Sequence, residues 1–176
     1  MTILIVIAAV IVLFVLVVVT RPSDFRVTRS TAISAPPAVV FAQVNDFHNW
    51  DGWSPWARMD PEMKATYAGP AAGTGAIYSW VGNNKVGEGR MTILESHPSD
   101  LVRIKLEFIK PFAATNTAEF TFQPQGNQTT VTWTMTGKKN FMIKAMGLVM
   151  NMDKTIGGQF DQGLAQMKSV AETAKK

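Results

Sequence analysis

The feature that most constrains the fold is an amphipathic pattern between Asn140 and Ala174. Its apolar residues recur at steps of three and four, which places them on one stripe of an α-helix. A lone helix cannot bury such a stripe, so the preceding chain must supply a concave apolar surface. Gly157-Gly158 interrupts the pattern, and we predict a kink or break there, since glycine costs about 1 kcal/mol relative to alanine inside a helix. The stripe consists of Met142, Met146, Val149, Met152, Ile156, Phe160, Leu164, Met167 and Ala171.

Strict alternation of apolar and polar residues recurs in the second half of the chain. A period of two is typical of antiparallel strands with one covered face and one solvated face. Together with the terminal helix, the pattern predicts an α+β fold in which a curved antiparallel sheet wraps the long C-terminal helix. The predicted strands are 24–33, 63–67, 76–81, 86–96, 101–109, 117–123 and 130–136, with a short helix over 37–46.

The first twenty residues contain an uninterrupted apolar run from Ile3 to Val19. As a helix this run would span roughly 25 Å, enough for the core of a bilayer. The alternative is a cleaved signal peptide, but no Lys or Arg precedes the run and no small-residue cleavage site follows it. We therefore predict a transmembrane anchor in residues 1–22 and a single domain in residues 23–176.

Charge and composition narrow the functional classes. The chain has no cysteine and two histidines, which excludes disulfides and thiolate metal sites, and we expect neither a metal nor a cofactor. Its net charge of +4 is spread along the chain, so we predict no nucleic-acid partner and a membrane as the favoured neighbour. Arg21, Arg26 and Arg29 follow the apolar run, and by the positive-inside rule they predict a single-pass membrane protein with a cytoplasmic domain.

Three tryptophans, Trp50, Trp53 and Trp56, follow one another at steps of three, which indicates a tight helical turn that closes one end of the core. The order of strand, Ala-Pro-Pro helix, tryptophan-rich turn, further strands and long terminal helix resembles the START-like superfamily, often labelled SRPBCC, and within it the polyketide cyclase/dehydrase-like branch. The resemblance covers the chain from Asp24 onward and implies the helix-grip fold. The residues that carry it are 34–37, 40–41, 46–56, 69–70, 73, 75, 80–83, 86–89 and 163–164.

Related domains commonly enclose a cavity between sheet and helix, so the resemblance implies an apolar ligand site. Aromatic residues and methionines dominate the predicted inner face, and methionine adapts to ligands of variable shape. The same residues also suit a dry core, and the sequence leaves both alternatives open. The candidate ligand-binding residues are Trp53, Trp56, Tyr78, Trp80, Met91, Ile104, Leu106, Phe108, Phe120, Phe122, Trp133, Met135, Met146 and Met150.

The expected function is a membrane-anchored domain that binds a hydrophobic small molecule or a lipid. In this interpretation the methionine-rich segment Phe141–Met152 acts as a gate with Gly157-Gly158 as its hinge. One alternative is a cyclase- or dehydratase-like enzyme, which only the resemblance implies, because fold does not imply function. No Ser/His/Asp arrangement, phosphate loop or metal spacing is present, so we name no catalytic residue. The other alternative is a ligand-free interaction module.

Overall fold

The computed structural model describes residues 1–174. One helix begins the described chain, a short helix follows the first of seven strands that form a single sheet, and two helices complete the fold. The elements are α1 (Thr2–Thr20), β1 (Asp24–Ile33), α2 (Pro37–Asn45), β2 (Lys64–Ala68), β3 (Ile77–Val81), β4 (Glu88–His97), β5 (Leu101–Lys110), β6 (Ala114–Gln125), β7 (Gln128–Lys138), α3 (Phe141–Met146) and α4 (Met152–Thr173). The predicted α+β helix-grip fold is confirmed.

The sheet is antiparallel throughout, with strand order β1-β7-β6-β5-β4-β3-β2. Each predicted strand is present, and β6 and β7 extend beyond their predicted ends. A two-residue turn joins them: Gln125 pairs with Gln128, and Gly126 has a φ of 59°. Glycine adopts this left-handed conformation without steric cost, which lets both strands continue up to the turn.

Helix α4 lies on the inner face of the sheet and packs mainly against β1. Its buried stripe matches the C-terminal part of the predicted one, because Phe160, Leu164, Met167 and Ala171 are all buried. These side chains meet the inward-facing residues of the central strands in one hydrophobic core. The helix thus supplies the second layer of the fold.

The predicted break at Gly157-Gly158 is wrong, because α4 runs through both residues without interruption. A Cβ at Gly157 would collide with the guanidinium of Arg29, whereas a Cβ at Gly158 would meet nothing within 4 Å. Arg29 extends from β1 to α4, where it pairs with Asp153 at 2.9 Å and with Asp161 at 3.3 Å. Gly157 therefore allows the close approach of Arg29 to α4, and the hinge assigned to this pair stays a prediction.

The helical pattern breaks earlier, between Met146 and Met152. The Asn140 side chain caps α3 by accepting a hydrogen bond from the N–H of Ile143, and Asn151 caps α4 by accepting one from Lys154. The first N–H groups of a helix lack partners within the helix, and a capping side chain that accepts a hydrogen bond from one of them stabilises the helix start. Two short-range caps therefore divide the C-terminal segment into α3 and α4.

Helix α1 projects its apolar side chains outward along nearly its whole length. Val18, in the last turn, is the exception and is fully buried. Among residues 1–174, α1 is the one helix both long enough and apolar enough to cross a membrane. It joins β1 through Arg21, Pro22 and Ser23.

Candidate functional site

One half of the inner face is a packed aromatic core. The indole of Trp53 meets the indole of Trp133 edge-on with centroids 5.6 Å apart, and Trp133 stacks on Phe160. Trp50 and Phe120 complete the cluster. All five rings are at most 5% exposed, so this half of the sheet–helix interface is filled by protein.

Trp50 and Trp53 close this end of the core as predicted, whereas Trp56 lies in a second 3₁₀ turn, Pro55–Arg58, and is half-buried. Residues 47–52 form a 3₁₀ turn, and the Asp46 side chain caps its start by accepting a hydrogen bond from the N–H of His48. The Nε1–H of Trp50 donates to the carbonyl of Val44 at 3.0 Å, and that of Trp53 donates to the carbonyl of Gln43 at 2.9 Å. A buried indole is stabilised when its N–H has a partner, so these bonds hold both rings against the sheet.

The other half of the inner face is less completely covered. The strand register places Phe25, Asn116, Leu106 and Met91 in one row across the sheet. Phe25, Leu106 and the nearby Phe108 are only half-buried. This row lies at the end of the sheet where α1 leads into β1. The accessible part of the inner face therefore adjoins the helix that is apolar enough to cross a membrane.

Aromatic side chains form the floor of this accessible half. The Trp80 ring lies over Gly89 on the neighbouring strand, where a Cβ would collide with it, and its Nε1–H donates to the Val86 carbonyl at 3.1 Å. Phe108 meets Trp80 edge-on at 6.0 Å. The missing side chain at Gly89 thus makes room for the indole.

Tyr78 is the ionisable side chain among the candidate residues, and its environment disfavours the phenolate. Burial raises the pKa of Tyr78 to about 12, and the charges of Tyr67 and Asp51 act in the same direction. A phenol with this pKa stays protonated at neutral pH. Tyr78 is therefore equipped to donate a hydrogen bond and is not a general base under those conditions.

Asn116 is a polar group that the sequence analysis did not identify. Its side chain lies over Gly137 beside the ring of Phe25, and the residue is 7% exposed. Its Oδ1 is buried and accepts no hydrogen bond from any residue in the described range 1–174. An unsatisfied buried acceptor costs about 1–3 kcal/mol, and a hydrogen-bond donor from a bound molecule would remove that cost. The sequence contained one indication of this residue: Asn116 alternates in phase with Ala118 and Phe120, which places it on the inner face of β6.

An open groove lies at the end of the sheet nearest α1 and reaches the inner face at Phe25 and Val27. It has a volume of about 550 Å³ and lies between the start of β1 and the turn that joins α3 to α4. Phe25 and Val27 line one side, and Leu148, Val149 and Met150 line the other. A second open groove of about 700 Å³ borders the same ends of β1, β6 and β7. The first groove borders the inner face with a mixed lining, because Arg26, Lys139 and Asp153 also line it.

The fourteen candidate residues do not all lie in one place. Met146 and Met150 were predicted to face inward and are instead 42% and 46% exposed, which corrects their position. They belong to the α3 segment, which the rest of the described chain covers only in part. The half-buried candidates are Trp56, Leu106 and Phe108, and the buried ones are Trp53, Tyr78, Trp80, Met91, Ile104, Phe120, Phe122, Trp133 and Met135. Ligand binding by these residues stays a prediction.

Both histidines lie outside this interface. His48 pairs with Asp46 and His97 pairs with Glu95, each at 2.7 Å, and both side chains are more than half exposed. Within residues 1–174, no three His, Cys, Asp or Glu side chains come together as metal ligands. The interior of the described residues is mostly apolar. Its polar groups besides Tyr78 and Asn116 include Trp133 Nε1 and Gln159 Oε1, which, like Asn116 Oδ1, are buried without a hydrogen-bond partner in residues 1–174.

The curved sheet, the gripped helix and the apolar inner face define a helix-grip domain of the START-like class. Residues 24–172 match the protein family described as polyketide cyclase / dehydrase and lipid transport. The match spans nearly all of the chain that follows α1, and the protein belongs to this family. No match was found among curated protein sequences.

Solved structures with the same fold share little sequence with the chain. A Thermus thermophilus protein, TTHA0849, is 17% identical with a TM-score of 0.62, and the alignment covers 86% of this chain and all of that one (100%). The Aha1 dimer from Colwellia psychrerythraea is 15% identical with a TM-score of 0.61, over 86% of this chain and 99% of that one. DynU16, from the dynemicin biosynthetic locus, is 14% identical with a TM-score of 0.57, over 85% of this chain and 48% of that one. Each likeness shows the fold alone.

Proposed function

We propose that this protein is a membrane-anchored binding domain that holds a hydrophobic small molecule or a lipid between its sheet and α4. The observation that carries the proposal is the half-covered inner face at the end of the sheet nearest α1. Phe25, Leu106 and Phe108 are apolar side chains that the fold leaves half-buried. The description of the matching family includes lipid transport, which supports the same class of ligand.

The anchor is the second part of the proposal, with residues 1–22 in the membrane and residues 23–176 as the binding domain. A helix of nineteen residues spans about 28 Å, close to the thickness of the hydrocarbon core. Its exposed apolar side chains are costly in water and favoured in lipid. A ligand that partitions into the bilayer would then be concentrated next to the groove.

The polar groups of the accessible half suggest how a ligand is oriented. Apolar pockets typically contain a few polar groups that fix one end of the ligand. Asn116 offers an unpaired acceptor and Tyr78 a protonated phenol. We therefore propose an apolar molecule with a hydroxyl or protonated carboxyl group as the preferred ligand. The raised pKa of Tyr78 gives no support to acid–base catalysis at neutral pH, and the enzyme alternative rests on family resemblance.

The test is photo-crosslinking of the full chain in nanodiscs with a long-chain fatty acid that carries a diazirine. Peptide mapping by mass spectrometry then locates the crosslinks. Crosslinks on the inner face around Leu106 and Phe108 support the proposal. Crosslinks confined to α1 would show lipid contact through the anchor alone, and the binding function would be rejected.

Two substitutions in β5 make this experiment specific. Leu106→Trp adds volume to the accessible inner face, so we expect it to reduce crosslinking there. Ile109→Trp adds the same side chain at a position 49% exposed in the same strand, so we expect unchanged crosslinking. Equal crosslinking in both variants would exclude the proposed site.

The proposed orientation places the binding domain in the cytoplasm. Arg29 does not support this orientation, because its charge is paired with Asp153 and Asp161 of α4. Arg21 and Arg26 remain, and the fold brings Lys139 and Lys144 to the same end, since both contact the Val19–Ser23 stretch of backbone. A reporter active only in the cytoplasm, fused to the C-terminus of the full chain, tests the orientation. An inactive reporter on a stably expressed fusion contradicts it.

A further inference from the structure

We infer that residues 141–150, which comprise α3 and the following turn, are a second membrane contact that lies in the bilayer interface beside α1. These residues are called the interfacial segment below. The inference rests on the proposed anchoring role of α1. It differs from that proposal because it assigns the folded domain its own contact with lipid and thereby a fixed position against the membrane.

The interfacial segment exposes an unusual number of large apolar side chains for part of a folded domain. Phe141, Met142, Met146, Val149 and Met150 are all at least 42% exposed, and Val149 is 87% exposed. A contiguous apolar surface of this kind marks an interaction site in soluble domains. The groove that borders the inner face at Phe25 and Val27 is lined by the same turn, through Leu148, Val149 and Met150.

The position of α3 against α1 identifies lipid as the partner. The two helices are in contact, and the Lys144 ammonium donates to the Val19 carbonyl at 3.3 Å, at the C-terminal end of α1. Val18 is fully buried in the same turn. Because α1 is about as long as a bilayer core is thick, its last turn lies at the boundary between hydrocarbon and headgroups. A segment packed beside that turn lies at the same depth.

The charges around the segment suit an anionic membrane surface. Arg21 and Lys138 are exposed, and Lys139 and Lys144 are half-buried at the same end of the fold. The chain contains no acidic residue from Lys139 to Met152. Basic side chains near an anionic surface contribute about 1 kcal/mol each, whereas acidic ones would be repelled. Apolar side chains flanked by basic ones are typical of interfacial membrane segments.

A fixed interfacial segment would also place the groove at the lipid surface. The turn that forms one wall of the groove would itself lie among the headgroups. An apolar ligand could then pass between bilayer and inner face without crossing water. In this inference, the methionine-rich segment that was predicted to act as a gate lies in the bilayer interface and forms one border of the groove.

The absence of cysteine allows a direct test in the full chain. A single cysteine at an exposed position can be labelled with the environment-sensitive fluorophore NBD and the protein reconstituted into phosphatidylcholine/phosphatidylglycerol vesicles. Doxyl groups attached to the lipids quench NBD only when the label is within the bilayer. The labelled variants are Val149→Cys in the interfacial segment, Val10→Cys in α1, and Asn127→Cys in the β6–β7 turn at the opposite end of the sheet.

We expect labels at positions 149 and 10 to be quenched several-fold more strongly than the label at 127, with a blue-shifted emission at 149. Quenching at 10 together with a water-like signal at 149 overturns the inference and leaves the anchor intact. A label at 10 that is not quenched rejects the anchor, and the inference falls with it. These outcomes separate the two proposals.

A pair of serine variants tests whether the apolar side chains cause the immersion. With the label at 149, the double substitution Phe141→Ser and Met142→Ser should remove most of the quenching. Val81→Ser with Leu94→Ser is the matched control, because both residues are about half exposed on the sheet, away from α3. Equal quenching in the two double variants would contradict a contact made by these side chains.

Discussion

The indole of Trp133 in β7 stacks on the ring of Phe160 in α4, with centroids 3.9 Å apart and planes 7° from parallel. Both residues are almost fully buried, at 3% and 1% exposure. This contact joins the helix to an inner strand of the sheet, and Trp53 and Trp56 meet the same indole edge-on. The closed half of the core is therefore organised around one sheet–helix pair.

Loss of the stacked ring should destabilise the whole domain. Phe160→Ala removes a fully buried aromatic side chain and leaves a cavity, which typically costs about 3–5 kcal/mol in the free energy of unfolding. Denaturant unfolding of the full chain in detergent micelles, followed by tryptophan fluorescence, measures this cost. Val149→Ala is the control and should change stability by less than about 0.5 kcal/mol, since it lies on the surface. Equal effects would refute the central role of the stack.

The two neighbouring glycines of α4 should respond in opposite directions to alanine. Gly158→Ala should raise the free energy of unfolding by about 1 kcal/mol, because alanine is the better helix former and its Cβ meets nothing within 4 Å. Gly157→Ala should lower it, because the new Cβ displaces the Arg29 guanidinium from Asp153 and Asp161. Thermal unfolding of both variants provides the comparison. Stabilisation by both substitutions would show that Arg29 moves aside without cost.

The ion pair between Arg29 and Asp153 should make stability depend on pH in the acid range. The hydrogen bond from Arg29 lowers the pKa of Asp153 below its ordinary value of 3.8, with the Arg29 charge acting in the same direction against desolvation. The contribution of this ion pair to the free energy of unfolding is therefore present above about pH 4. It is lost as the pH falls through the lowered pKa of Asp153 in the folded state.

The check is the difference in unfolding free energy between the natural chain and Asp153→Asn as a function of pH. This difference should be constant above about pH 5 and shrink below pH 4, where the carboxylate becomes protonated. Asp153 is 61% exposed, and salt should weaken the effect. A difference independent of pH down to strongly acidic conditions would contradict the assigned ion pair.

Replacement of Asn116, whose amide oxygen is unpaired within residues 1–174, should separate stability from binding. Asn116→Leu keeps a similar shape and removes a buried acceptor with no partner in residues 1–174, so unfolding should become less favourable by about 1 kcal/mol. Crosslinking of a hydroxylated or protonated ligand to the inner face should fall at the same time. Destabilisation with unchanged crosslinking would assign Asn116 a structural role only.

Regular elements were predictable because they follow from local spacing. The alternation in β5, β6 and β7 puts residues such as Ile104, Phe120 and Trp133 on one face, whatever the partner strands are. The stripe of α4 around Phe160 and Leu164 follows from helical periodicity in the same way. These patterns led to the helix-grip fold and to most of the buried candidate residues.

The errors occur where a residue's role depends on a distant partner. From the sequence, Gly157 is interpreted as a helix breaker. In the structure, Arg29, which lies more than a hundred positions earlier, occupies the space that a side chain at Gly157 would take. Met146 and Met150 continue an apolar pattern, yet the caps at Asn140 and Asn151 turn their segment away from the sheet. The alternation of β6 indicates that Asn116 faces inward, but whether its amide oxygen finds a donor depends on the residues packed around it.

The sequence by itself determined the classes of element, the α+β fold, the apolar N-terminal helix and the closed aromatic end, because spacing and hydrophobicity act within a few residues along the chain. Only the tertiary structure decided that Gly157 receives Arg29, that α3 lies beside the last turn of α1, and that the open half of the inner face adjoins that helix. Such relationships depend on how the sheet curves and where α4 crosses it. They arise from packing between segments far apart in the chain, which local patterns do not encode.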